Sequence, residues 1–203
     1  MLSKRKLAVL LALLVLALSA CTPIVPAAAG LMPSAAGNEA ADAEVQLLEF
    51  EVSEDMNRFI FDQDVVYEDG MPADGSSFIT RGYLYEVGTL DGTNGVNPDG
   101  SPEFPDKVIG EWICQGYMIN DAGHATGGVW VFSTQFFQFG DEPGAQSIVT
   151  QGYELADTDV AIARAITGGT GEFKLARGES SQTLLGLNAT EGVNLRVQIA
   201  VEK

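Results

Sequence analysis

Only three side chains in the chain combine soft nucleophilic, metal-ligating or neutral-pH proton chemistry: Cys21, Cys114 and His124. A Ser-His-Asp or Cys-His mechanism would have to run through His124, in the turn Asp121-Ala122-Gly123-His124. The bland reading of His124 is an exposed loop residue. Cys114 closes Gly110-Glu111-Trp112-Ile113-Cys114, with no basic neighbour to activate its thiol. It reads first as a small buried hydrophobe and second as a group lining a cavity. Two cysteines cannot make a disulfide framework or a zinc cluster. Asp91, Asn94, Asn97 and Asp99 bring hard oxygen ligands close together, but without the fixed order of a calcium loop. Turn chemistry is the expectation there, and no metal. Gly168-Gly169-Thr170-Gly171 lacks both the Lys-Ser/Thr sequel of a phosphate loop and dinucleotide glycine spacing. Its glycines are expected to reverse the chain between strands, and no cofactor is expected.

The 203 residues fit one domain with a tail. The net charge is −17, and three of the 11 bases are Lys4, Arg5 and Lys6, which leaves eight against 28 acids beyond them. Such a body repels phosphate backbones and anionic headgroups, so nucleic acid is not an expected partner. With 46% hydrophobic residues the chain can build a core.

Lys4-Arg5-Lys6 and the apolar residues 7–18 form the charged and hydrophobic regions of a secretory signal, too short to stay in a bilayer. Leu18-Ser19-Ala20-Cys21 follows, resembling the bacterial lipobox in which the thiol receives a diacylglyceryl group. The expectation is a signal peptide over 1–20, a lipidated Cys21 and attachment to the outside of the cell membrane or to the outer membrane through acyl chains alone. Residues 22–43 hold eight Ala, three Pro and two Gly and no aromatic. They read as a flexible linker to a folded domain at 44–203.

Residues 193–203 alternate, with Val193, Leu195, Val197, Ile199 and Val201 on one face and Asn194, Arg196, Gln198 and Glu202 on the other. That is a half-buried strand. Further β-rich runs occupy 44–52, 58–67, 78–88, 108–119, 127–139, 147–155, 160–167 and 172–187, separated by short Gly, Asp, Asn and Pro breaks suited to hairpins. No long stretch has helical period. Eight or nine antiparallel strands must manage their edges, so the expectation is an all-β, eight-stranded antiparallel barrel, with a two-sheet sandwich as runner-up. The long connection 89–107 reads as a rim loop.

The segment from Ala165 to Gly178, AITGGTGEFKLARG, resembles the glycine motif of plant dirigent proteins and of the related allene oxide cyclases. Phe78-Ile79-Thr80-Arg81-Gly82-Tyr83-Leu84-Tyr85, Phe137-Gln138-Phe139-Gly140-Asp141 and Thr150-Gln151-Gly152 resemble further motifs in the same order. Together they span about half the chain. The resemblance implies an eight-stranded barrel with a hydrophobic cavity, and a trimeric homo-oligomer. It also implies that Cys114 matches a cavity cysteine and Glu49 or Glu51 a cavity glutamate, which are the catalytic candidates. Arg81 and Gly82 stand where cyclases keep an Asn-Lys pair, so binding is favoured over turnover. The expected function is to hold a small hydrophobic or aromatic ligand as carrier, sensor or orienting scaffold. A cyclase-type isomerase and a filled structural barrel are the alternatives. Tyr83, Tyr85, Trp112, Cys114, Phe139 and Tyr153 are the expected ligand-binding residues, as aromatics on alternating strands with a thiol among them.

Overall fold

The computed structural model describes residues 45–202, so the expected signal peptide, the expected lipidation at Cys21 and the expected linker lie outside the described residues. Eight strands follow in order: β1 Val45–Phe61, β2 Ser77–Glu86, β3 Val108–Met118, β4 Val129–Phe139, β5 Ser147–Leu155, β6 Ala161–Thr170, β7 Gly178–Leu187 and β8 Val193–Glu202. Each pairs antiparallel with the next, and β1 pairs with β8, closing the barrel. Closure leaves no free sheet edge. The architecture is the expected barrel, and the sandwich is set aside.

Alternation decides what fills it. From β8, Leu195, Val197, Ile199 and Val201 are buried, each no more than 4% exposed. Phe50 and Val52 of β1, Leu84 of β2 and Ile148 of β5 join the same core. Fully burying such side chains contributes roughly 1.5–3 kcal/mol each. One end is plugged by aromatics: Phe139 meets Phe50 at 5.3 Å and Phe173 at 5.5 Å between ring centroids.

Two expectations of the sequence reading are corrected. Run 44–52 and the first part of run 58–67 belong to one strand, β1, which ends at Phe61 and whose register shifts between Asp55 and Ile60, while 62–67 are turn. The shift reverses the inward parity, so Phe59 and Phe61 turn inward while Ile60 is 67% exposed. The connection 89–107 is not a free rim loop. It lies along the outer wall, where Glu51 Oε2 accepts the N–H groups of Thr89 and Leu90 at 2.9 and 2.8 Å, and Asn194 Nδ2 donates to Asn94 O at 2.8 Å. Asp91, Asn94 and Asp99 accept hydrogen bonds from Thr93, Asp91 and Ser101 within the loop. Short polar side chains spent on neighbouring backbone make turns.

The glycine motif also differs in detail from a simple hairpin. β6 runs through Gly168 and Gly169 to Thr170, a 3-10 turn covers Gly171–Phe173, and β7 begins only at Gly178. Gly171 has φ +62°, and a Cβ there would collide with the carbonyl of Ala145. Glycine meets both demands without cost.

Candidate functional site

A cavity of about 320 Å³ occupies the end of the barrel opposite the aromatic plug. Its wall comes from Phe59 and Phe61 of β1, Phe78 and Thr80 of β2, Trp112, Cys114 and Met118 of β3, and Trp130 and Val131 of β4. Phe59 stacks on Phe78 with centroids 5.5 Å apart and planes 20° apart. The register shift in β1 makes this possible. Its roof is built from connecting loops: Met71 and Pro72 after β1, and Ala122, Gly123 and Ala125 after β3.

The floor is polar. Glu154 of β5 is 5% exposed, accepts from Ser133 Oγ and from Gln182 Nε2 at 3.3 Å, and has Cys114 Sγ at 3.6 Å. Its counter-ion is Arg164 of β6, whose Nη1 lies 3.7 Å away. Arg164 is 1% exposed and donates to the carbonyls of Gly152, Tyr153 and Ser133 at 3.2, 2.9 and 3.1 Å. A buried guanidinium with this many acceptors is stable where a bare charge would not be.

Glu54 of β1 enters the same cavity and differs from Glu154. Its Oε2 accepts the Val193 N–H at 3.0 Å, and it has no basic partner among the described residues. Burial pushes its carboxyl up to about 7, opposed by the Thr80 hydroxyl and the Val193 N–H and reinforced by the charges of Glu154 and Asp55. The Thr80 hydroxyl sits beside this carboxyl but makes no hydrogen bond of full geometry. The indole N–H groups of Trp112 and Trp130 are likewise buried without an acceptor among the described residues.

Two of the expected ligand residues, Trp112 and Cys114, line this cavity. Burial drives the Cys114 thiol well above its ordinary range, helped by Glu154, so it serves as a neutral packing group rather than a nucleophile. The other expected positions fall elsewhere. Tyr83 and Tyr85 take the outward parity of β2, and their hydroxyls donate to Gly100 O at 2.8 Å and Gly95 O at 2.6 Å in the wall loop. Tyr153 is 52% exposed and meets Phe132 edge-on outside the barrel, while Phe139 belongs to the plug. Glu51 is fully buried on the outer face, where Arg196 Nη2 donates to it at 2.7 Å and the wall loop takes its other oxygen. Glu49 accepts from Gln198 Nε2 at 3.0 Å, also outside. An anchored or outward carboxylate cannot act on a ligand in the cavity. Sequence reasoning missed Glu54, Glu154 and Arg164. For Arg164 a signal existed, since it shares the parity of Ile162 and Ile166 in an otherwise apolar run.

His124 stands at the roof. Its Nδ1 lies 2.7 Å from Asp121 Oδ1 and its Nε2 2.8 Å from Asp69 Oδ2, so it ties the loop after β3 to the loop after β1. Its side chain is 41% exposed, as a loop residue should be, but it is held from both sides.

No family model and no curated protein matches the chain. Among solved structures it is similar to the pterocarpan synthase dirigent protein PsPTS1, at 18% identity over 78% of this chain and 95% of that one, with a TM-score of 0.54. It is also similar to the pterocarpan synthase dirigent protein GePTS1, at 16% identity over 88% of this chain and all of that one, with a TM-score of 0.53. These likenesses concern the fold, and the fold of this chain is that of a dirigent-like barrel.

Proposed function

We propose that this protein is an exported, lipid-anchored barrel that binds a small hydrophobic or aromatic molecule in the cavity between the rim loops and the Glu154–Arg164 floor. The observation that carries the reading is the contrast between the two ends. One is filled by Phe50, Phe139 and Phe173, while the other keeps about 320 Å³ walled by aromatic and methionine side chains over a small polar floor. Apolar walls with a few placed polar groups are the makeup of small-molecule sites. The lipobox-like Leu18-Ser19-Ala20-Cys21 supports the anchor.

Both tryptophans of the chain, Trp112 and Trp130, line the cavity, so their fluorescence reports on it. Aromatic probes should quench that fluorescence and raise the melting temperature, by the equivalent of about 2.7 kcal/mol at a hundredfold excess over Kd. Probes that leave both signals unchanged would point to the filled structural barrel. For the anchor, Cys21→Ala should move the protein from the membrane fraction or block its processing. Unchanged attachment would overturn the lipoprotein reading.

A second reading, an isomerase of the allene oxide cyclase type, is favoured by Glu54. A carboxyl raised to about 7 beside an apolar ligand can lend a proton to a ligand oxygen and take one back at neutral pH. Stereoselective product from an unsaturated epoxide, lost in Glu54→Gln, would establish it. Racemic product identical to the buffer reaction would exclude it.

A further inference from the structure

The ionisable groups lining the cavity are Glu54, Glu154, Glu191 and the Cys114 thiol, which burial keeps neutral, and no Lys, Arg or His is among the lining residues. The one buried base nearby, Arg164, is committed to Glu154 and to three backbone carbonyls. Glu54 is left without a basic partner among the described residues. It is only 5% exposed, its Oε2 accepts the Val193 N–H, and beyond that only the Thr80 hydroxyl stands beside the carboxyl. A buried carboxyl with no base beside it, at the wall of an apolar cavity, is open to a cationic donor on the occupant. The occupant's body would lie against the Phe59–Phe78 stack and Trp112, and aromatic faces attract cations.

Resting on the binding function proposed above, we infer that the ligand is an apolar or aromatic monocation, an organic ammonium whose N–H group donates to Glu54 Oε1 while its hydrocarbon fills the aromatic wall. An anionic ligand would meet carboxylates and no free base. A neutral hydrocarbon would leave Glu54 without a charge to pair with. The net charge of −17 draws cations toward the protein as a whole. The proton balance is simple. Where Glu54 is a carboxylic acid, the incoming ammonium displaces its proton to solvent, and the bound state is an ammonium–carboxylate pair. Binding therefore strengthens as pH rises toward and past the Glu54 midpoint.

Three naphthalene probes of one shape separate the classes: 2-naphthylmethylammonium, 2-naphthalenemethanol and 2-naphthoate. Each is titrated calorimetrically into the purified full chain at pH 7, in two buffers of different ionisation enthalpy. The ammonium should bind at least tenfold more tightly than the alcohol, and the carboxylate not measurably. With Glu54 raised to about 7, roughly half a proton should be released per ammonium bound. Glu54→Gln should abolish both the tenfold preference and the proton release. If that variant does not fold, the buffer dependence of the unaltered chain decides alone. Alcohol binding as tight as ammonium binding, or ammonium binding without proton release, overturns the cation inference and leaves the binding function standing. If none of the three binds, both fall.

Discussion

His124 Nε2 sits 2.8 Å from Asp69 Oδ2, across a gap of 55 residues in sequence, and joins the two loops that roof the cavity. With Asp121 on its other nitrogen, the imidazole has an acceptor at each end, which suits the doubly protonated ring. The hydrogen bonds it donates to Asp121 and then to Asp69 raise its pKa, and both aspartates are lowered in return. The Tyr67 ring packs 4.9 Å away, and Asp74 accepts from Asn120 N beside it.

The clasp is therefore expected to be pH-dependent. A group whose folded pKa is raised contributes fully below its unfolded value, near 6.5 for histidine, and loses that contribution as pH rises through the folded value. Amide exchange in 69–75 and 121–128 should accelerate as pH rises through that window, beyond the intrinsic base-catalysed rate. In His124→Ala it should be fast throughout. Equal protection factors at pH 5.5 and 8.5 would show that the two loops stand without the imidazolium.

Glu54 carries the opposite kind of cost. Its carboxyl is raised from 4.5 to about 7, so the folded state holds a proton that the unfolded chain has given up across that window. Stability should fall between about pH 4.5 and 7, by about 3 kcal/mol in all, and level off above. Urea unfolding of Glu54→Gln should lack this decline and leave the variant the more stable protein at pH 8. A decline that persists in Glu54→Gln would assign it to other groups.

Arg164→Met should be severe. It strips Glu154 of its counter-ion inside the barrel and leaves the carbonyls of Gly152, Tyr153 and Ser133 short of donors. Breaking a buried pair from one side costs about 3–5 kcal/mol. The double variant Arg164→Met, Glu154→Gln should recover a large part of the loss in urea unfolding. Two additive effects would mean that the ion pair is not the coupled unit described above.

Gly171→Ala should destabilise the barrel by about 1–3 kcal/mol, because φ +62° disfavours a side chain and the Cβ would meet the Ala145 carbonyl. Gly128→Ala is the control, with φ +77° but open space around it, and should cost less. Equal melting temperatures for the two variants would remove the collision from the account.

Residue pattern alone sets out most strands of the barrel and much of its filling, though not the continuity of β1 or the start of β7. Period-two alternation in 193–202 dictates that Leu195, Val197 and Ile199 share a buried face, because successive strand side chains point to opposite sides. It also carried an unused hint at Arg164, a base on the face of Ile162 and Ile166. Where both faces of a strand are covered, contacts between distant segments settle which one points inward. In β1 the six residues from Phe50 to Asp55 are all buried, so exposure gives no contrast to read. Closure of the barrel sends Glu54 into the cavity, while docking of the wall loop keeps Glu51, three residues earlier, outside as an anchor. The same loop takes the hydroxyls of Tyr83 and Tyr85, which local pattern alone could equally have turned toward a ligand. The parity reversal that brings Phe59 and Phe61 inward belongs to the pairing of β1 with β2, a relation between strands that no single stretch of sequence contains.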